Sequence, residues 1–401
     1  MRVGKATARA VNGLTARWAA TAEGGTVFSA AGVWPLLAFL ADGADGGARA
    51  ELADALGLPA DEAAAAAREL LGGMAAMRGL DTAVGLWTRR TLELREAWAA
   101  GLPAGTRGVL TGDVAADRAA LDAWVVDRTG GLVDRMPVGL DKDPELVLAG
   151  ALAMRTRWLA PFEEWPLETA YAPWAAVERL GLHRSGAQLD RIGLADTPDG
   201  FVTELKVLGD NALDVHLLLG EERMAPGQVL AAGVGILDGA HRVVPGGLLP
   251  YGEPGPGLSV AKVRCETPQP PRLDVTTAAY AVTADHDLLA LHRLFGLTTA
   301  TDLRRGHFPG ISAFPLAVGS AEQTTMAKFG ALGFEAAAVT AFGMAAAGLP
   351  PERRHVTTVI DASFDRPFGF LALHRHSRLV LAAGWVTDPL PFPDYPWEDD
   401  E

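Results

Sequence analysis

The sequence predicts a mixed α+β fold. Segments with helical periodicity dominate the first part of the chain, and continuous or alternating apolar runs dominate the rest. Hydrophobic residues make up 49% of 401 positions, enough for a large buried core. Helices first and strands later imply a large mixed sheet with helices packed against it.

The helical signals come in order. Val33–Leu40 is an apolar stretch. Ala48–Leu56 places apolar residues at helical spacing and meets a stop at Gly57 and Pro59. Asp61 reads as the cap of a further helix that runs through an alanine-rich segment to Gly72-Gly73. Ala119–Thr129 is amphipathic and ends at Gly130-Gly131. Leu146–Met154 then opens the strand region with a continuous apolar run, the pattern of a central strand covered on both faces. Ala212–Leu219, Leu258–Val263 and Leu273–Val282 read as strands, and His286–Leu294 returns to helical spacing. Phe368–Leu373 and Leu379–Val386 form a hairpin around Arg375-His376-Ser377, with His374 and His376 at its turn. Residues 1–390 read as one domain, and 391–401 as a Pro-rich, acidic tail resting on the surface through Tyr395 and Trp397.

Composition excludes several function classes. A net charge of −14 leaves nothing to neutralise many phosphates, so no nucleic-acid partner is expected. No segment approaches the ~20 apolar residues of a membrane span. The basic N-terminus lacks the apolar core of a signal peptide, which points to the cytoplasm. Cys265 is the only cysteine, so no internal disulfide exists, and it is expected to be a small buried hydrophobe. The nine histidines show no metal-ligand spacing, and GxSxG, HExxH and a phosphate-binding glycine loop are absent. Neither a metal, a cofactor nor an enzyme activity is expected.

Four stretches resemble the serpins. Thr26–Ala44 (TVFSAAGVWPLLAFLADGA) is similar to the strand and helix that open the family's shutter, FSPxSI; Phe28 and Ser29 match, while Ala30 and Gly32 replace a proline and a second serine. Leu121–Met136 resembles the family helix xNxWVxxxTxGxIxxL through Trp124, Val125, Thr129 and Gly131. Leu146–Glu163 resembles LVLxNAxYFxGxWxxPF through Trp158, Pro161 and Phe162, with Gly150 in place of an asparagine. Phe364–Pro389 resembles the C-terminal DRPF hairpin. The resemblance implies helices packed on three β-sheets, with an exposed reactive loop at about 331–363. It places Ser29 and Trp158 in the shutter and breach regions of the central sheet. It also admits the extracellular space as a location, and it implies a monomer.

The same resemblance places the reactive-loop hinge at Gly333, Phe334, Glu335, Ala336, Ala337, Ala338 and Thr340, similar to the family's EEGTEAAAAT. By composition alone the alanines would suit a surface helix equally well; their position before the DRPF hairpin selects the loop. The resemblance implies a suicide inhibitor of serine proteases. The protease forms an acyl-enzyme with the loop, and the cleaved loop then inserts into the central sheet. Insertion demands small inward side chains. Phe334 stands where the family has Thr or Ser, which motivates an alternative: a non-inhibitory serpin acting as a binding or storage module. Counting from the hinge puts the scissile bond at Ala347-Gly348, whereas counting back from Pro367-Phe368 puts it near Val356-Thr357. Small residues there favour an elastase-like or subtilisin-like protease. Arg353 and Arg354 offer a trypsin-like alternative.

Overall fold

The computed structural model describes residues 3–136, 138–140, 144–302, 304–334 and 354–393. Its helices are α1 (Lys5–Ala19), α2 (Ala30–Gly43), α3 (Gly46–Leu56), α4 (Ala60–Ala75), α5 (Glu96–Gly101), α6 (Val114–Thr129), α7 (Ala172–Ala175) and α8 (Pro226–Asp238). Its strands begin with β1 (Thr26–Phe28), β2 (Leu80–Arg89), β3 (Arg107–Leu110), β4 (Leu146–Met154), β5 (Thr156–Arg157), β6 (Glu163–Pro166), β7 (Leu180–Gly186), β8 (Ile192–Thr197), β9 (Gly200–Val207) and β10 (Leu213–Gly220). They continue with β11 (Val243–Pro245), β12 (Gly252–Gly255), β13 (Leu258–Cys265), β14 (Arg272–Ala278), β15 (Tyr280–Asp287), β16 (Ser320–Phe329), β17 (Gly333–Phe334), β18 (His355–Ser363), β19 (Phe368–His374) and β20 (Leu379–Val386).

The strands form three sheets: β1-β20-β19-β10-β9-β8-β11, then β12-β13-β18-β14-β7-β6, then β3-β2-β4-β16-β17-β5 with β15 on the other flank of β16. This is the α+β architecture expected from the order of signals. Helix α2 is apolar on every side and nearly all of it is buried, as a helix inside the core must be. All of β4 is buried too, because both of its faces are covered. Helix α6 lies across the outer face of β2 and β4. Asp113 caps it by accepting from the Ala115 and Ala116 N–H groups, and Gly130 ends it at φ 60°. Its Leu121 and Val125 bury against Trp87, Val147, Ala149 and Ala151.

Several boundaries differ from expectation. Strands β2 and β3 went unread because LDTAVGLWTR mixes Gly, Ala and Asp, poor strand formers, into its apolar run. β2 is held in place by its long antiparallel register with β4, from Leu80↔Met154 to Thr88↔Leu146. Helix α4 takes Pro59 at its cap, and Asp61 falls in the first turn, where its carboxylate favours the positive helix end. It also runs past Gly72-Gly73. Gly73 is there for packing, since a Cβ on it would lie 2.4 Å from Val3 Cγ2. The run Leu273–Val282 is two strands, β14 and β15, because the chain changes sheets at Ala279. His286 and Asp287 end β15, and the following residues form turns started by Asp287, whose carboxylate accepts from the Leu289 and Ala290 N–H groups. Cys265 is half-buried at the end of β13 rather than buried.

Candidate functional site: the top of the β4/β16 sheet

Strand β16 is SAEQTTMAKF, and strand alternation sends Ala321, Gln323, Thr325, Ala327 and Phe329 to the buried face. It pairs in parallel with β4 from Ser320↔Val147 to Thr325↔Leu152. Above that point the two strands part. The chain turns back after Phe329, and Gly333–Phe334 pairs antiparallel with β16 at Phe329↔Phe334 and with β5 at Gly333↔Arg157 and Phe334↔Thr156. The predicted hinge therefore starts as a short strand with neighbours on both flanks.

The turn is clamped from one side. Trp158 N–H donates to Leu332 O at 3.0 Å, and Phe162 N–H donates to Ala331 O at 2.9 Å. Trp158 Nε1–H donates to Gly330 O at 2.9 Å, and the Trp158 ring lies 4.9 Å from Phe329. Trp158, expected in the breach, is buried at the point where the chain reverses. The φ of Gly333 is not positive. Its glycine is needed for close approach, because a Cβ there would sit 2.1 Å from Thr156 O.

Phe334 is 3% exposed, with its ring 6.4 Å from that of Phe370. Beneath it, Leu152, Met154, Met326, Lys328 and Val133 leave a void of only about 10 Å³, at the lower limit for one water. A longer strand can descend only if β4 and β16 separate.

The lower part of the same sheet is locked by a residue that sequence reasoning missed. Gln323 is fully buried opposite Gly150. Its Oε1 accepts from Ser29 N–H at 2.8 Å and from Thr325 Oγ1–H at 3.1 Å, and its Nε2 donates to Ser29 O at 2.7 Å. Ser29 Oγ donates to Leu381 O at 2.5 Å and accepts from Gly32 N–H at 3.1 Å. One amide thus ties β16, the start of α2 and, through Ser29, β20. Gly32 leaves room that Gln323 fills: a Cβ on it would meet Gln323 Nε2 at 3.2 Å. The available signal was a lone glutamine at an inward position of an alternating strand.

On the outward face, Glu322 stands opposite Asp287 across the β15–β16 pair. Burial, and next the Asp287 charge, push its carboxyl up to about 7. No cluster of metal-ligating side chains occurs among the described residues, and no helix there is long and apolar enough to cross a membrane.

A family profile described as Serpin (serine protease inhibitor) matches residues 8–170. Two proteins of Oryza sativa subsp. japonica with serpin names, Z6A and Z6C, are each 27% identical, over 90% and 92% of this chain and 93% and 92% of their own length. The chain is similar to the serpins. Solved serpins share the fold. The native thermophilic serpin tengpin superposes at TM-score 0.73 with 14% identity, covering 97% of this chain and 95% of its own. A serpin from the trematode Schistosoma haematobium gives 0.70 at 13%, covering 96% and 100%. Human thyroxine-binding globulin complexed with thyroxine gives 0.72 at 17%, covering 96% and 97%. This similarity supports a role within the protease-inhibitor superfamily, whose general class of partner is a protease. A reactive loop and a conformational change are typical of this serpin fold.

Of the residues assigned from sequence, the structure brings Gly333, Phe334 and Trp158 together at the top of the sheet and puts Ser29 at the Gln323 lock. Glu335, Ala336, Ala337, Ala338, Thr340, Ala347, Gly348 and Arg353 lie outside the described residues, as do Tyr395 and Trp397. Arg354 is exposed immediately before β18. Val356 and Thr357 fall within β18, paired with Arg264 and Val263, and Thr357 Oγ1 donates to Pro270 O at 2.9 Å. A bond between Val356 and Thr357 is held in a sheet.

Proposed function

We propose that this protein is a serpin that inhibits serine proteases by covalent trapping, with the cleaved loop inserting into the β4/β16 sheet. The observation that supports the reading is β17: a nascent strand, antiparallel to neighbours on both flanks, directly above the one place where β4 and β16 pair in parallel. Continued insertion exchanges that single parallel ladder for two antiparallel ones, which pair slightly better per residue. At about 0.5–1.5 kcal/mol net per hydrogen bond, a strand of about a dozen residues gains a large share of the ~5–15 kcal/mol that stabilises an ordinary domain.

In this reading the protease serine attacks the Ala347 carbonyl, the Gly348 amine leaves with a proton, and insertion outpaces hydrolysis of the ester. The target is elastase-like or subtilisin-like, with Arg353 and Arg354 as trypsin-like alternatives. We take residues 1–390 as one domain with its reactive loop at about 331–363, 391–401 as a tail, and the protein as a monomer with no membrane or nucleic-acid partner, acting in the cytoplasm or the extracellular space.

Phe334 favours a second reading, a binding or storage module, because a bulky anchored hinge is not what rapid insertion calls for. Thyroxine-binding globulin shows that a protein of this fold can hold a small molecule. The test is a mixture with elastase-like, subtilisin-like and trypsin-like proteases, resolved on an SDS gel. A covalent complex that survives SDS, together with a strong rise in melting temperature after loop cleavage, supports trapping. Cleavage with neither result establishes the second reading.

A further inference from the structure

Away from the hinge, residues of β9 and of the turn before β8 in one sheet and of β7 and β14 in another line an open cleft of about 260 Å³. Strand register decides what lines it. Val275 lies directly opposite Arg184, and Leu273 opposite Gly186, so all of these share a face. Lys206 comes from β9, and Arg191 directly precedes β8. The lining thus combines buried Leu273 and Val275 and exposed Leu159 with three cations, Arg184, Arg191 and Lys206.

This concentration of positive charge occurs in a chain whose net charge is −14. The nearby carboxylates do not cancel it. Glu204 is buried and already shared between His216 Nδ1 at 2.8 Å and Lys206 Nζ at 3.6 Å. Asp190 meets Arg191 at 3.1 Å from a largely exposed position. Among the described residues Arg184 has only neutral contacts: it donates to Ala160 O at 2.7 Å and lies 4.4 Å above the Phe162 ring. Burial, reinforced by the Arg191 charge, holds the Arg184 guanidinium down to about 10. A half-buried cation beside a second cation is an arrangement that a bound anion would relieve.

We propose that this cleft binds a small organic acid, its carboxylate held by Arg184, Arg191 and Lys206 and its apolar body resting on Leu273, Val275 and Leu159. The volume is just below the ~300–1,000 Å³ usual for small-molecule sites, so the occupant is about the size of a single substituted ring. The inference does not depend on protease inhibition, and neither does its test.

Benzoate, benzamide and inorganic sulfate are titrated into the full-length protein by calorimetry, with saturation-transfer NMR as a second readout. Benzoate should bind at least about tenfold more tightly than benzamide, because charge-assisted hydrogen bonds are the stronger kind. It should also outbind sulfate, which lacks an apolar body. Lys206→Met and Arg184→Met should each weaken benzoate about tenfold. Lys206 is partly exposed, so its variant tests the idea even if Arg184→Met fails to fold. Equal binding of benzoate and benzamide, sulfate binding as tightly as benzoate, unchanged affinity in Lys206→Met, or no saturable benzoate binding would each overturn the proposal.

Discussion

Replacing Gln323 by methionine keeps the side-chain volume and deletes the amide. The Ser29 N–H then loses its acceptor in a fully buried site, while Ser29 O keeps the Gly32 N–H at 3.2 Å and the Thr325 hydroxyl can rotate. One stranded buried donor costs about 1–3 kcal/mol. Gln323→Ala strands the same donor and adds a void between β16 and α2, which raises the cost to ~3–5 kcal/mol. An unfolding entropy of ~2 cal/mol/K per residue, taken over 401 residues, makes each kcal/mol worth about 1 °C. Thermal melts followed by circular dichroism should therefore fall by about 1–3 °C for Gln323→Met and ~3–5 °C for Gln323→Ala, with urea midpoints falling in the same order. A methionine variant as stable as the parent would refute the claim that the amide locks the sheet. Equal losses in the two variants would refute the void argument.

Gly333→Ala puts a methyl group 2.1 Å from Thr156 O, so β17 should leave the sheet; hydrogen exchange at Trp158 and Phe162, whose amides hold the turn, should accelerate. Phe334→Thr removes a buried ring; if the ring retards insertion, the variant should form more SDS-stable complex per protease consumed, and identical partitioning would show that the ring is no obstacle. Glu322 ionises at about 7 in the fold against 4.5 ordinarily. The folded state therefore holds an extra proton between those values, and this group weakens the fold as pH rises through that window. Glu322→Gln removes that slope, so its urea midpoint should exceed the parent's above neutral pH and approach it below about pH 5; parallel pH profiles would show that Asp287 does not act on Glu322.

Much of the fold was readable because its signals are local. Continuous burial of β4, the glycine stops after α3 and α6 and the β19–β20 hairpin each follow from a pattern within a few residues. The meeting of Gly333, Phe334 and Trp158 at the top of the sheet was suggested only by the family resemblance, which draws on long stretches of the chain. What could not be read was set by partners distant in sequence. Strand β2 exists because β4 pairs with it, Gly73 is glycine because Val3 lies against it, and Gln323 matters because Ser29 lies across the core. No window of sequence contains both halves of those contacts. The cleft at Arg184 was hidden for the same reason, since its walls belong to separate sheets.

Strand β18, on the far side of the loop, is stitched to β13 along its length and to β14 on its other flank. Strand β17, on the near side, pairs through two residues among the described ones. A chain severed between them comes apart unequally. The downstream piece stays riveted to its sheet, and only the upstream piece is at liberty to travel. Under the proposed trapping, the direction of recoil is built in before a bond is broken, and it runs toward the seam between β4 and β16.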